Sequence, residues 1–417
     1  MTTDVRSSGE LAPTYDVIIV GGGLAGAVAG QKLARSGRRV LVLERETTFR
    51  DRVRGEQMHP WGGAVARRLG IYDELMASGC GHDARYNNAY VAGHQTSHRD
   101  LHATTPYGGI GVTTFHHPEM QELLLTGAAK AGATVRRGAS VLSVAGGETA
   151  AVAFTDDTGA HAVSARIVIG ADGRTSKVRT WAGFQANRDP ERLRIAGALL
   201  QHTSAPIDGL HMCVAPHGNM LLCPLGDGRA RAYFIYDIGV AGRRKLSGKD
   251  QIDEFLRLCR ETGAPPAWFD GVALAPPLAD FEGAAQWVEH PYRDGIALVG
   301  DAAATLDPSF GSGLSKVLLD IERLLEALAT HDDRDRALHA YAASHDRDFR
   351  IVHDIESWMM TLLWSRGPEA DERRHRVMPR FGAGDPALPD LQLGPDGPHD
   401  AHARSLLLGD SFSTHGR

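Results

Sequence analysis

Several features that would define other kinds of protein are scarce in this sequence. Its 417 residues include four cysteines (Cys80, Cys213, Cys223, Cys259), none in Cys-x-x-Cys spacing. That excludes a disulfide framework and argues against a structural zinc site. Long apolar runs are also missing: the longest begins at Tyr15 and is broken by four glycines within twelve residues, too early to span a bilayer. The leading MTTDVRSSGELAPT has no apolar signal core. Positive charge is not in excess, with a net charge of −6 and a pI near 6.4, so no basic field attracts nucleic acid or anionic lipid. Lysine is rare, six of the 45 basic residues. No G-x-S-x-G occurs, which removes the α/β-hydrolase nucleophile. These absences leave a soluble chain, expected in the cytoplasm, without nucleic-acid or membrane partners. Apolar residues at 42% and charged residues at 23% supply ordinary globular cores, and the length suggests two to three compact units.

Residues 1–13 read as a disordered leader. YDVIIV (15–20) is a short run rich in β-branched residues, the pattern of a buried parallel strand. Gly21–Gly23 turn the chain, LAGAVAGQKLARS fits a helix of small residues ending at Gly37, and RRVLVLE (38–44) is a second strand. A helix over 118–131 begins at Pro118, and strands follow at 139–145, 150–155 and 161–169. Between 193 and 237 four apolar runs separated by DG, HGN and GDG turns predict consecutive antiparallel strands. ALVG (297–300) is another buried strand, and 312–329 carries an apolar helical stripe. The stretch 366–403, rich in Pro, Gly and Asp, reads as an irregular tail laid over the surface.

Gly21-Gly22-Gly23-Leu24-Ala25-Gly26 fits G-x-G-x-x-G between a strand and a helix. Gly21 permits the tight turn, Gly23 lets a pyrophosphate approach the backbone, and Gly26 lets helix and strand pack closely. The helix N-terminus at Leu24 and Ala25 offers free N–H groups and a positive dipole end to phosphates. Glu44, 23 residues beyond Gly21 at the end of the second strand, is placed to hold a ribose hydroxyl. A plain glycine-rich turn would leave Glu44 unexplained.

Two later segments separate FAD from NAD. IVIGADGRTSKVR (167–179), with Ala171-Asp172-Gly173, Ser176 and Arg179, resembles the Asp-Gly fingerprint of flavoprotein hydroxylases. IALVGDAAATLDPSFGSGLSKVLLD (296–320), with Gly300-Asp301-Ala302-Ala303, Pro308, Gly311, Gly313 and Asp320, resembles their Gly-Asp fingerprint. The three motifs stand in the family's order, about 150 and then 130 residues apart. Over residues 14–345 the chain therefore resembles the class A FAD-dependent monooxygenases with the p-hydroxybenzoate hydroxylase fold. This implies an α/β fold: a Rossmann-like FAD-binding domain with an inserted, mainly antiparallel β-sheet substrate domain. The implied FAD-binding domain takes 14–85, 115–188 and 281–345, the substrate domain 86–114 and 189–280, and 346–417 forms a C-terminal helix and irregular tail. FAD is the implied cofactor and NAD(P)H a transient co-substrate, because no second G-x-G-x-x-G in a βαβ setting exists to bind it permanently.

Residue by residue, the resemblance implies FAD contacts at Gly21, Gly23, Leu24, Ala25, Gly26, Glu44 and Arg45, with a backbone contact from Val141 to adenine. Asp172 belongs to the second fingerprint. Asp301, after a buried strand, is placed to accept hydrogen bonds from the ribityl chain, a role compatible with capping a helix. His117 falls where the family has an Arg or Gln on the ribityl chain, and Met120 replaces the usual leucine. Arg54 lies where the family places an arginine over the flavin; Arg45, Arg50, Arg52 and Arg54 read equally as a solvated charge cluster. Pro308, Gly311, Gly313 and Leu314 mark the loop beside the flat ring. The helix starting near Ser312 points its positive end at the negative charge that reduced flavin develops. Two positions depart from the family: Ala304 replaces a histidine and Ser315 an asparagine, both near the flavin.

Met58 and His59, in Met58-His59-Pro60-Trp61, either line the substrate pocket or simply cap a helix over 61–69. No catalytic acid or base stands out. His94, His98 and His102 share a four-residue spacing, but without HExxH or paired carboxylates they read as solvated loop histidines, not metal ligands. The reaction implied is hydroxylation or epoxidation of an aromatic or polyketide-like small molecule with O2, through a flavin C4a-hydroperoxide. The alternatives are a flavin-dependent halogenase, a reductase or dehydrogenase, and a non-catalytic prenyl-protein carrier. RGEQMHP (54–60) resembles a halogenase segment, yet there is no Trp-x-Trp and no lysine between Lys32 and Lys130. The intact Asp301–Gly313 loop argues against the carrier.

Overall fold

The computed structural model describes residues 14–53, 55–241 and 245–409. The predicted leader at 1–13 and the candidate Arg54 lie outside the described residues. Strand β1 (Thr14–Val20), helix α1 (Leu24–Arg35) and strand β2 (Val40–Glu44) form the expected opening unit. β1 pairs in parallel with β2 on one side (Val17↔Val40) and with Gly159–Gly170 on the other (Val17↔Ile167). Ile296–Leu298 and Thr134–Arg137 extend this parallel sheet at its two ends. One face (Val17, Ile19, Val42, Ile169) packs under α1 and the helices His117–Lys130 and Gly313–Thr330; the other (Ile18, Leu41, Val168) packs with Val144, Val152 and Val178. Burial on both faces is why these strands show no polar alternation.

The second sheet is built differently. Its order is Ala273–Gly283, Leu193–Gln201, Arg229–Asp237, Gly218–Gly226, Gly209–Ala215, Tyr86–Val91 and His94–Asp100. All neighbours are antiparallel except Gly209–Ala215 with Tyr86–Val91. Side chains alternate between faces along each strand. Ala196, Met220, Leu222, Ala232 and Phe234 pack on Phe255 and Cys259 of the helix Ile252–Glu261. Ile195, Leu221, Cys223, Tyr233 and Ile235 face the other way, with Val53, Phe281 and Trp364.

The tail reading for 366–403 requires correction. Helices Pro368–Gly382 and Ala401–Leu408 occupy it, joined by a segment that includes a 3-10 helix at Gly394–Asp396. Pro368 sits in the first helical turn, where proline is tolerated, so composition misled. Val377, Leu388, Leu407 and Leu408 bury against Phe310, Ile355, Met359 and Leu362. The 31-residue helix Arg334–Trp364 supplies three of those partners. Asp390 of this segment forms a 2.6 Å ion pair with Arg99, both side chains at least nine-tenths buried. His94 and His98 lie on one strand, His98 stacking on Tyr86 and bonding Asn88, while His102 begins the next helix and pairs with Asp83 at 2.6 Å.

Candidate active site

The first fingerprint folds as a cradle. Gly21 has a φ of +103°, and a Cβ there would collide with the Ala171 carbonyl; one on Gly26 would collide with the Gly21 carbonyl. Gly23, by contrast, faces open space apart from Gln121 Nε2, 3.4 Å from where its Cβ would stand. No side chain caps the N-terminus of α1. Glu44 is buried, accepting from Gly22 N at 2.6 Å and Glu46 N at 2.7 Å, so it braces the loop while a carboxylate's spare lone pairs remain for a ribose. Val141 is the second residue of the strand Ser140–Ala145, which is held beside Glu44 because Ala139 N donates to the Glu44 carbonyl. Arg45 is exposed and pairs only loosely with Glu46 at 3.4 Å.

The other two fingerprints meet at this cradle. Asp172 is turned toward the helix Lys177–Trp181, accepting from Ser176 Oγ, Lys177 N and Val178 N. Arg179, two residues into that helix, donates to the Ala302 carbonyl at 3.3 Å and so ties the second fingerprint to the third. Asp301 is exposed in the turn Gly300–Ala302. Gly300 N in turn donates to the buried Asp320, whose carboxylate is held by Lys316 and His345. His117 Nδ1 is 2.7 Å from the Gly55 carbonyl. Burial lowers its pKa against the pull of that carbonyl and of Asp301, so the ring stays neutral with Nε2 left as an acceptor. Gln121, one helical turn beyond His117, reaches the cradle as well. Sequence reasoning missed it, although the i, i+4 spacing from His117 was the available signal.

The glycine loop completes the floor. Asp307 caps the turn Pro308–Phe310, accepting from Ser309 N at 2.9 Å, and Gly311 follows with a φ of +74°. A Cβ on Gly311 would collide with Gln57; one on Gly313 would meet open space; Leu314 lies against Gly55. Ser315 Oγ accepts from His59 N at 3.0 Å, and a Cβ on Gly62 would run into that hydroxyl. The close crossing of the helices Pro60–Arg68 and Gly313–Thr330 thus accounts for the serine, because an asparagine would press on Gly62. Ala304 is buried in the core beside Leu306. Met58 is buried in the same core. The His59 ring is 2% exposed and lies 2.8 Å from the Phe310 carbonyl and 3.3 Å from Gln392 Oε1, linking the glycine loop to the C-terminal segment. Burial lowers its pKa and keeps it neutral.

Beside the loop stands the inner face of the second sheet. Ile195, Leu221, Ile235 and Phe281 make it apolar. One end is polar: Tyr233 donates to Glu56, and Arg231 reaches Asp51 at 2.7 Å. An open pyrophosphate cradle, an uncapped helix end, a carboxylate at the ribose position and a glycine-lined floor fit FAD. They define a flavoprotein in which an apolar wall faces the flavin loop.

The chain matches the FAD binding domain family over residues 14–350 and belongs to it. Kynurenine 3-monooxygenase from Salinispora arenicola is 27% identical over 408 residues, covering 87% of this chain and 85% of that protein. Aklavinone 12-hydroxylase DnrF from Streptomyces peucetius is 25% identical over 368 residues, covering 82% and 73%. Among solved structures, p-nitrophenol 4-monooxygenase PnpA from Pseudomonas putida shares the fold, with a TM-score of 0.77, 20% identity, and coverage of 92% of this chain and 97% of that one. Reductases and a brominase stand among the matches as well.

Proposed function

We propose that the protein is an FAD-dependent monooxygenase that uses NAD(P)H and O2 to hydroxylate or epoxidise an aromatic or polyketide-like small molecule. The observation that carries this is the apolar inner face of the second sheet, whose strand Leu193–Gln201 packs against the turn Pro308–Phe310 of the glycine loop. When bound, FAD supplies the reduction by NAD(P)H and the activation of O2. The chain supplies the rest. Gly21–Gly26 and the N-terminus of α1 hold the pyrophosphate, with Leu24 and Ala25 N–H groups as donors, and Glu44 holds the ribose. Asp301 and His117 hold the ribityl chain, and the start of the helix Gly313–Thr330 turns its positive end toward the ring. Ile195, Leu221, Ile235, Phe281 and Trp364 exclude water and seat an apolar ring. The substrate region is assigned to 86–114 and 189–280. A cytoplasmic setting is supported by four buried, unpaired cysteines, and among the described residues no helix is long and apolar enough to cross a membrane.

The test is a screen for compounds that accelerate NAD(P)H oxidation by the FAD-loaded protein, with products weighed. A mass gain of one oxygen is expected. A reduced or chlorinated product would move the assignment to a reductase or a halogenase.

A further inference from the structure

The Pro308–Gly313 loop is gripped from a part of the chain that the family match does not reach. That match ends at residue 350. Phe310, inside the loop, buries its side chain among Ile355, Met359, Leu388 and Leu407, all beyond that limit. Its carbonyl is held as well. His59 Nε2 lies 2.8 Å from the Phe310 oxygen, and His59 Nδ1 lies 3.3 Å from Gln392 Oε1. Both side chains are buried, His59 at 2% exposure and Gln392 at 6%.

Donors and acceptors fix how this chain of bonds runs. Burial keeps the His59 ring neutral against the pull of Asp390, whose carboxylate is itself paired with Arg99. A neutral imidazole donates from one nitrogen and accepts at the other. The Phe310 carbonyl can only accept, so Nε2 must carry the hydrogen. Nδ1 is then the acceptor. A half-turn of the Gln392 amide, which exchanges its oxygen and nitrogen in place, puts an N–H on Nδ1.

Gln392 is itself pinned. Its backbone N–H donates to Asp390 Oδ1 at 2.9 Å, and Asp390 holds the buried Arg99. Trp61 Nε1 donates to the Leu391 carbonyl at 3.2 Å, and Gly394 lies so close that a Cβ would collide with the Trp61 indole.

We propose that Gln392 is a positioning residue of the flavin site: its amide donates to His59 Nδ1, fixes the hydrogen on Nε2, and so holds the Phe310 carbonyl and the adjoining Gly311 in place. The proposal rests on FAD binding at this loop and is independent of the reaction given above. Gly311 has a φ of +74° and no room for a Cβ beside Gln57, so a shift of the carbonyl before it moves the floor of the site. Gln392 thus does for this loop what Asp320 does for the turn at Gly300, whose N–H it accepts.

The experiment follows release of FAD from the loaded full-length protein, as free-flavin fluorescence after dilution, together with visible circular dichroism of the bound flavin. Gln392→Met keeps the bulk of the side chain but cannot donate. It should release FAD about tenfold faster than wild type, the scale of one hydrogen bond lost at a buried partner, and alter the dichroism. His59→Phe should release FAD at least as fast. The double variant should match His59→Phe within about twofold, because Gln392 acts only through His59. Tyr107→Phe removes a different hold on the same segment, the bonds from its hydroxyl to the Leu393 carbonyl and Asp396. It should keep the wild-type rate, which a general loosening of the segment would not allow. Wild-type release from Gln392→Met, effects that multiply in the double variant, or equally fast release from Tyr107→Phe would each overturn the proposal. Gln392→Met and Tyr107→Phe decide it if His59→Phe fails to fold. A wild type that holds no FAD would overturn the cofactor reading, and the proposal with it.

Discussion

The two sheets meet at one site and work by opposite means. The parallel sheet, buried on both faces, presents strand ends, tight turns and helix N-termini, so its recognition is carried largely by backbone. The antiparallel sheet presents one face of alternating side chains, so under the proposed function its recognition is carried by Ile195, Leu221, Tyr233 and their neighbours. Backbone recognition depends on what cannot be present, a Cβ at Gly21 or Gly26. Side-chain recognition depends on what is present, and tolerates change that the cradle does not.

The sharpest way to break this contrast is Gly26→Val, whose side chain would collide with the Gly21 carbonyl. FAD should be lost entirely, read as a colourless preparation that gains no flavin absorbance on titration, whereas Leu221→Ala in the opposing wall should leave FAD bound and only release more peroxide. Next in size is Asp390→Ala. It strands Arg99 as an uncompensated buried cation, and denaturant unfolding should show a loss of about 3–5 kcal/mol. Asp301→Ala should weaken FAD binding by about 1–3 kcal/mol, measured by fluorescence titration of a correctly folded variant. The smallest effect is acid sensitivity. His59 is neutral in the fold with its pKa below the ordinary 6.5, so the unfolded chain binds the proton first. Stability is then full above pH 6.5 and falls as pH drops below it. Thermal melts between pH 7 and 5 should show this slope, flattened in His59→Gln.

What was readable from the sequence follows the same division. Gly21–Gly26, Asp172 and Asp301–Gly313 are local patterns whose spacing encodes a turn, so the cofactor half and its order could be read along the chain. Asp172 shows the limit of such reading, since its oxygens bind Ser176, Lys177 and Val178. Glu56, Asp51, His116, Arg231 and Tyr233 come from three distant segments, and no local pattern joins them. The 366–403 segment was misread for a related reason: its few apolar residues acquire meaning only against the helix Arg334–Trp364. Gln392 reaching His59, some 330 residues earlier in the chain, is legible only in three dimensions.

Oxygen transfer at this site is the property on which the proposed function turns. Turnover of an accepted substrate with NAD(P)H under isotopically labelled O2 tests it most directly. Product carrying one labelled oxygen is expected, with substrate accelerating NAD(P)H oxidation; product formed without label from O2 would contradict oxygen transfer.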